Sequence, residues 1–134
     1  SETAKFGLPE VKWGIYPFGG ATSKLVQQIG YVHAMKLLLT AQMIDAREAV
    51  RIDLVNETVP LSELLQTSIA CAEMIAANSP VAVQAVKQHI SKGLADAGLA
   101  REGEEQVQGD RVRESSDFTE GVAAFREKRT PNYG

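Results

Sequence analysis

The sequence has few of the residues from which disulfide frameworks and metal sites are built. Its 134 residues include a single cysteine, Cys71, and two histidines. No internal disulfide can form, and the lack of a Cys/His cluster argues against structural zinc. Cys71 falls next to an apolar helix face, so we expect a buried and inert thiol. His33 and His89 have no acid or nucleophile at a matching spacing, which favours surface or packing roles. We expect neither a metal nor a cofactor.

Strong charge and long apolar runs are also missing. The net charge is −3, and acidic and basic residues are interspersed along the chain, so nothing indicates a nucleic-acid partner. No apolar run approaches the about 20 residues that cross a bilayer. The chain opens on Ser1 without a methionine or a targeting pattern, and it reads as though it begins inside a secondary-structure element. We expect one cytoplasmic domain that binds no membrane, with any N-terminal targeting region not visible.

The chain is organised around one segment rich in glycine and proline, Phe6 to Thr22. Glu10 follows Pro9, which fixes the direction of the backbone and removes a hydrogen-bond donor. Glycines and a further proline then break any regular element before Thr22, which is predicted to cap a helix. A carboxylate held beside apolar neighbours would be partly desolvated, which suits an acid or base near neutral pH. From composition alone, a solvated loop carboxylate is the commoner case.

The spacing of apolar residues predicts mostly helices. One helix, or two joined at Gly30, runs from Thr22 to about Leu39, and its wide apolar face is expected to stay partly exposed. Asp45 is predicted to cap a short helix that ends at Arg51. Residues 54–59 form a brief β-like run. Residues 61–77 form the next helix.

The last third of the chain carries further helix signals. Ser79 and Pro80 have the pattern of an N-cap and first helical residue, and that helix is predicted to end at Gly93. Residues 94–114 form a glycine-containing helix that depends on tertiary contacts. Asp117 and Glu120 have the spacing of a capping box, which predicts a final helix through about Arg126.

These features resemble the Pro-Glu signature of the crotonase superfamily, the enoyl-CoA hydratases and isomerases. The match continues at compatible spacing over nearly all of the chain. The family-like positions are Pro9-Glu10, Gly14, Pro17, Gly20, Thr22, Ile29-Gly30, Leu37 to Thr40, Ala46, Glu48-Ala49, Leu54-Val55, Val59-Pro60, Ile75-Ala76, Ser79-Pro80, Asp117-Phe118, Glu120-Gly121, Ala124-Phe125, Glu127 to Arg129 and Pro131.

The resemblance implies an α/β fold, the crotonase-like ββα spiral, with this chain as its helix-rich C-terminal half. Residues 1–60 would finish the spiral core, and residues 61–134 would form the helical oligomerisation region of a homotrimer or hexamer. The implied function is an acyl-CoA enzyme of the hydratase or isomerase type. Its oxyanion hole would lie in the N-terminal half, which would be a partner of this chain. The alternative is a non-catalytic fragment that acts in assembly only.

The resemblance also assigns roles to individual residues. Glu10 would be the acid/base, Trp13 would wall the acyl pocket, and Pro17 and Phe18 would be further substrate-binding residues. Phe125 and Lys128 would lie near the CoA nucleotide, although cations after a helix also complement its dipole. Phe18 stands where hydratases usually have glycine, near the water that is added. We expect its ring to crowd or displace that water, leaving isomerisation, thioester hydrolysis or another fate of the enolate.

Overall fold

The computed structural model describes all 134 residues, and helices make up most of the chain. The only sheet is a short antiparallel pair, in which Lys5 lies opposite Asp45 and Phe6 opposite Ile44. Single 3-10 turns precede α1 and α3. The elements are β1 (Lys5–Phe6), a 3-10 turn (Glu10–Trp13), α1 (Ala21–Thr40), β2 (Ile44–Asp45), α2 (Ala46–Arg51), a 3-10 turn (Leu61–Glu63), α3 (Leu64–Ala76), α4 (Pro80–Arg113) and α5 (Ser116–Glu127).

Two predicted caps and one predicted helix break are confirmed. The Asp45 carboxylate accepts the backbone N–H of Glu48 at 2.8 Å and begins α2. The Ser79 hydroxyl accepts from Ala82 at 3.4 Å, and Pro80 opens α4. At Gly30, α1 is broken by non-helical angles, φ 75° and ψ 163°. Local side-chain chemistry and backbone freedom therefore set these three boundaries.

Two other predicted caps are wrong because a nearby residue begins the helix first. Gly20 precedes α1, which starts at Ala21, so Thr22 lies inside the helix and caps nothing. The Ser115 hydroxyl accepts the N–H of Phe118 at 3.2 Å and begins α5. Asp117 consequently lies in the first turn of α5, and the predicted capping box does not form.

Two predicted elements also differ from the structure. Residues 54–59 form no strand, and the partner of β1 comes instead from Ile44–Asp45. The helix that begins at Pro80 does not end at Gly93 but continues to Arg113 over 34 residues. Lys92 and Asp96 form an ion pair across that glycine at 2.9 Å. Contacts of the second half of α4 with the loop before α1 offset the glycine penalty of about 1 kcal/mol.

The buried core is small and centres on α1. Ile29, Ala34, Leu37 and Leu38 of α1 pack with Ile52, which follows α2. The predicted exposure of the apolar face is thus wrong for Leu37 and Leu38, which are buried, and right for Leu39, which is 65% exposed. Only 11 of the 134 residues are buried. Much of the apolar surface of the chain therefore remains uncovered.

Nine of the 18 large apolar side chains that stay exposed lie on α3 and the first half of α4. Nothing in the chain covers α3, so Cys71 is exposed and the expectation of a buried thiol is wrong. No single helix is long and apolar enough to cross a membrane. Leu61–Ala76 and Pro80–Arg113 meet that criterion only as a pair, and the pair is bent by 106°. The proposed division of the chain at residue 60 stays a prediction.

Replacing Gly30 by alanine should destabilise the protein by about 1–3 kcal/mol, because the backbone there has angles that are strained for any other residue. Space is not the cause, since a Cβ at Gly30 would meet nothing within 4 Å. Gly93→Ala is the matched control, because Gly93 is equally open but lies inside α4. Urea unfolding should show a loss for the first variant and a gain of about 0.5–1 kcal/mol for the second. Equal effects would contradict a broken α1.

Candidate active site

Glu10 opens a turn that is fixed by its own backbone. The carbonyl of Pro9 accepts from Lys12 at 3.1 Å, and the carbonyl of Glu10 accepts from Ile15 at 3.0 Å. Gly14 closes the turn with a left-handed φ of 62°. The Cα of Glu10 is thus held by hydrogen bonds on both sides of the residue, so its side chain leaves the backbone in a defined direction.

Neither carboxylate oxygen of Glu10 accepts a hydrogen bond from the chain, and one of the two is fully buried. The residue is half buried, and its Oε2 atom is fully buried with no hydrogen bond. Burying an unpaired carboxylate oxygen costs free energy, so native structures nearly always give such an atom a partner. We therefore expect the buried oxygen to be satisfied by a group that the chain does not supply, such as a substrate, a water molecule or another polypeptide.

Helix α5 packs directly on the Glu10 turn through two glycines. A Cβ on Gly14 would overlap the backbone of Asp117, at the start of α5. A Cβ on Gly121 would overlap the carbonyl of Trp13, at the end of the turn. The two backbones therefore approach as closely as glycine permits, and this contact fixes the distance between α5 and the Glu10 turn.

The C-terminal tail adds a second tie to the same turn. The Tyr133 hydroxyl donates to the carbonyl of Lys12 at 2.7 Å. Glu120 anchors the tail, because its carboxylate accepts from the Arg129 guanidinium at 2.9 Å and from the N–H of Asn132 at 2.8 Å. The Arg129 bond, with the Asn132 N–H second, lowers the pKa of Glu120 to about 2. Burial raises the pKa of Tyr133, and the Asp117 and Glu120 charges add to the effect.

The other sequence-predicted residues near the turn are partly brought together. The rings of Trp13 and Phe125 meet edge to face with centroids 5.1 Å apart. The Lys12 ammonium lies 5.2 Å from the centre of the Trp13 ring. Phe125 keeps 63% of its surface exposed, and Lys128 is exposed at the end of α5 with a left-handed φ of 56°. Lys128 makes no ion pair, so its ammonium is free to meet an anion.

A cavity of about 1050 Å³ opens beside the turn, between α1 and the second half of α4. Of the predicted site residues only Pro17 lines it, and Glu10 is represented there by its turn neighbours Val11, Gly14 and Ile15. The prediction missed Arg101 and Arg111 of α4, for which the sequence carries no motif. The full lining is Val11, Gly14, Ile15, Tyr16, Pro17, Thr22, Ser23, Val26, Gln27, Tyr31, Met35, Leu38, Leu39, Ala97, Arg101, Gln108, Arg111, Val112, Ser115 and Asp117.

The loop between the turn and α1 is bound to α4. The backbone N–H of Gly20 donates to both carboxylate oxygens of Glu105, at 3.0 and 3.3 Å. A carboxylate of the chain therefore already occupies the positive end of α1, which argues against a role for that end in stabilising a reaction anion. The Phe18 ring points to α4 and does not line the cavity. The chain brings no group of three or more potential metal ligands together.

Comparisons with known proteins give one consistent result. Residues 1–134 match the family model described as enoyl-CoA hydratase/isomerase. The chain is 41% identical over 133 residues to an enoyl-CoA hydratase of Mycobacterium tuberculosis, with 98% of this chain and 50% of the relative covered. It is 42% identical over 130 residues to the short-chain-enoyl-CoA hydratase of Clostridium acetobutylicum, with 96% and 49% covered.

A solved structure extends the likeness to the fold. The carnitinyl-CoA hydratase from Mycobacterium avium superposes with a TM-score of 0.88 at 34% identity, covering 98% of this chain and 52% of that chain. The chain thus spans about half the length of the relatives that it matches. The α/β crotonase fold and the place of this helix-rich chain as its C-terminal half are confirmed.

Acid should selectively remove the contribution of Glu120 to stability. Because its pKa is lowered in the folded state, that contribution is present above the ordinary value of 4.5 and is lost as the pH falls toward about 2. The stability difference between wild type and Glu120→Gln should therefore shrink over that range in urea unfolding. Glu57→Gln, at an exposed carboxyl without a hydrogen bond, is the control. A difference independent of pH would contradict the anchoring role.

Removing the Tyr133 hydroxyl should loosen the Glu10 turn. Tyr133→Phe deletes one hydrogen bond and should cost about 0.5–1.5 kcal/mol. The amide protons of Gly14 and Ile15 should exchange faster, since they report on the turn itself. Tyr31→Phe is the matched control, because Tyr31 is 67% exposed and its hydroxyl has no partner in the chain. Unchanged exchange in Tyr133→Phe would show that α5 alone holds the turn.

Proposed function

The chain belongs to the enoyl-CoA hydratase/isomerase family, and we propose that it carries the acid/base of an acyl-CoA enzyme. The observation that carries this proposal is the buried, unpartnered oxygen of Glu10 on a turn clamped by α5. A carboxylate on a fixed turn, with no hydrogen-bond donor of the chain on either oxygen, is available to accept and return a proton. The oxyanion hole would come from the segment that corresponds to the remaining half of the relatives.

In the proposed reaction, two backbone amides from that segment polarise the thioester carbonyl, and charge develops on its oxygen. Glu10 then moves a proton at Cα or Cβ. In hydration, a water oxygen bonds to Cβ and a proton is delivered to Cα. In isomerisation, a proton leaves one carbon and returns to another, with the double bond shifted. Either reaction leaves the carboxylate in its starting state.

The remaining site residues would hold the substrate. Trp13 and Pro17 would wall the acyl group, since Pro17 lines the cavity and Trp13 ends the Glu10 turn. Phe125 and Lys128 would face the CoA nucleotide. In support, Phe125 is an exposed aromatic surface against Trp13, and Lys128 is an exposed ammonium without an ion pair. CoA is a substrate component in this proposal, and no separate cofactor is required.

We further propose assembly into a homotrimer or hexamer in the cytoplasm. The uncovered apolar side chains of α3 and α4 support it: Leu65 is 72% exposed, Met74 67% and Val81 76%. Large exposed apolar patches are rare on monomers, so a grouping of such side chains on two helices favours a surface that another polypeptide covers. The same surface favours the second candidate function, a non-catalytic fragment that acts only in assembly.

Mass spectrometry under native and denaturing conditions separates the two candidates. A second polypeptide with a glycine-rich segment, or a longer single chain, would complete the site and support the enzyme. An assembly of 134-residue chains alone would overturn the catalytic proposal for this molecule and support the assembly role.

In the complete enzyme, Glu10→Gln should lower the rate on enoyl-CoA substrates by about 10²-fold or more, because the amide cannot exchange the proton. The substitution keeps size and shape, so the melting temperature should change little. Glu2→Gln is the control, since Glu2 is exposed and its side chain makes no hydrogen bond or ion pair in the chain. A rate that survives Glu10→Gln would remove Glu10 from the mechanism.

A further inference from the structure

We propose that a slot on α4 makes Phe18 a specificity-determining residue by holding its ring out of the cavity. The space beside Pro17 then stays open to the water that hydration needs. This inference rests on the proposed function and concerns which of its two reactions the site favours. Phe18, which stands where the family usually has glycine, would thus permit hydration, although the size of its side chain predicts the opposite.

The slot is formed where α4 has no side chain. The Phe18 ring lies against Gly109, so closely that a Cβ on Gly109 would overlap it. Tyr16 covers one side of the ring, edge to face at 5.4 Å between centroids. The Arg113 guanidinium lies 4.8 Å from the ring centre, within the range of a cation–π contact. Gly109 is buried by this packing.

Three residues of α4 act on the loop from a single helix face. Glu105, Gly109 and Arg113 are spaced by four, which places them one above the other. Glu105 holds Gly20 through its backbone N–H, and the other two hold Phe18. Asp110 pairs with Arg113 and fixes the guanidinium over the ring. The loop is therefore tied to α4 at two positions, Phe18 and Gly20, just before α1 begins.

The opposite side of the loop faces the cavity. Tyr16 and Pro17 line it, whereas no atom of Phe18 does. A second, smaller cavity is lined by Gly19 and Gly20 on the other side of Phe18 in the sequence. We propose that a ring released from the slot turns into the larger cavity beside Pro17. A benzyl group there would exclude water, which hydration consumes and isomerisation does not. The slot therefore acts on the balance between the two reactions.

The test is a double-substitution cycle in the complete enzyme. Gly109→Ala should lower the hydration rate about tenfold or more, because the displaced ring occupies the site. Isomerisation of a 3-enoyl-CoA should fall less. In a Phe18→Gly background the same Gly109→Ala change should alter hydration by no more than about twofold, since no ring remains to displace. Gly103→Ala is the matched control, because Gly103 lies on the same helix and a Cβ there would meet nothing within 4 Å.

Three results would overturn the proposal. An equal fall of hydration and isomerisation in Gly109→Ala, or a loss that persists without Phe18, would show a structural effect alone. Equal behaviour of Gly109→Ala and Gly103→Ala with Phe18 present would show that no slot exists. If the wild type turns over no acyl-CoA, the proposed function fails separately. The slot is then judged by melting temperature, which Gly109→Ala should lower only when Phe18 is present.

Discussion

The close approach of α5 to the Glu10 turn is the contact on which the rest of the site depends. It exists because Gly14 and Gly121, one on each partner, have no Cβ. Any side chain at either position would move the turn away from the helix. The Tyr133 hydroxyl then ties the tail to the same turn. A helix more than a hundred residues from Glu10 in sequence thus sets the position of its carboxylate.

Helix α4 holds the loop between the Glu10 turn and α1 in place, as α5 holds the turn itself. One of its faces holds the loop through Glu105 and Gly109, and neighbouring positions line the cavity. On the other side, the chain leaves three things unfinished: an unpaired oxygen on Glu10, an open cavity and uncovered apolar helices. All three are accounted for if further polypeptide completes the site and covers α3, as we propose.

The sequence predicted what local chemistry decides. Asp45 and Ser79 cap their helices through bonds to residues three positions away, and Gly30 breaks α1 where only glycine is unstrained. Prediction from the sequence failed where contacts between distant residues decide the structure. The continuation of α4 past Gly93 rests on its packing against the loop, and the partners of Glu120 come from the tail. The direction of the Phe18 ring depends on a missing side chain ninety-one positions later, which no local pattern signals.

A crystal structure of the complete protein with an unreactive enoyl-CoA analogue would test the central claim most directly. The account predicts the free oxygen of Glu10 within about 3–3.5 Å of the thioester Cα or Cβ, near-attack distance for proton transfer. It also predicts α5 still seated on the turn. A Glu10 carboxylate satisfied by donors of the protein, with the acyl group bound elsewhere, would contradict the account.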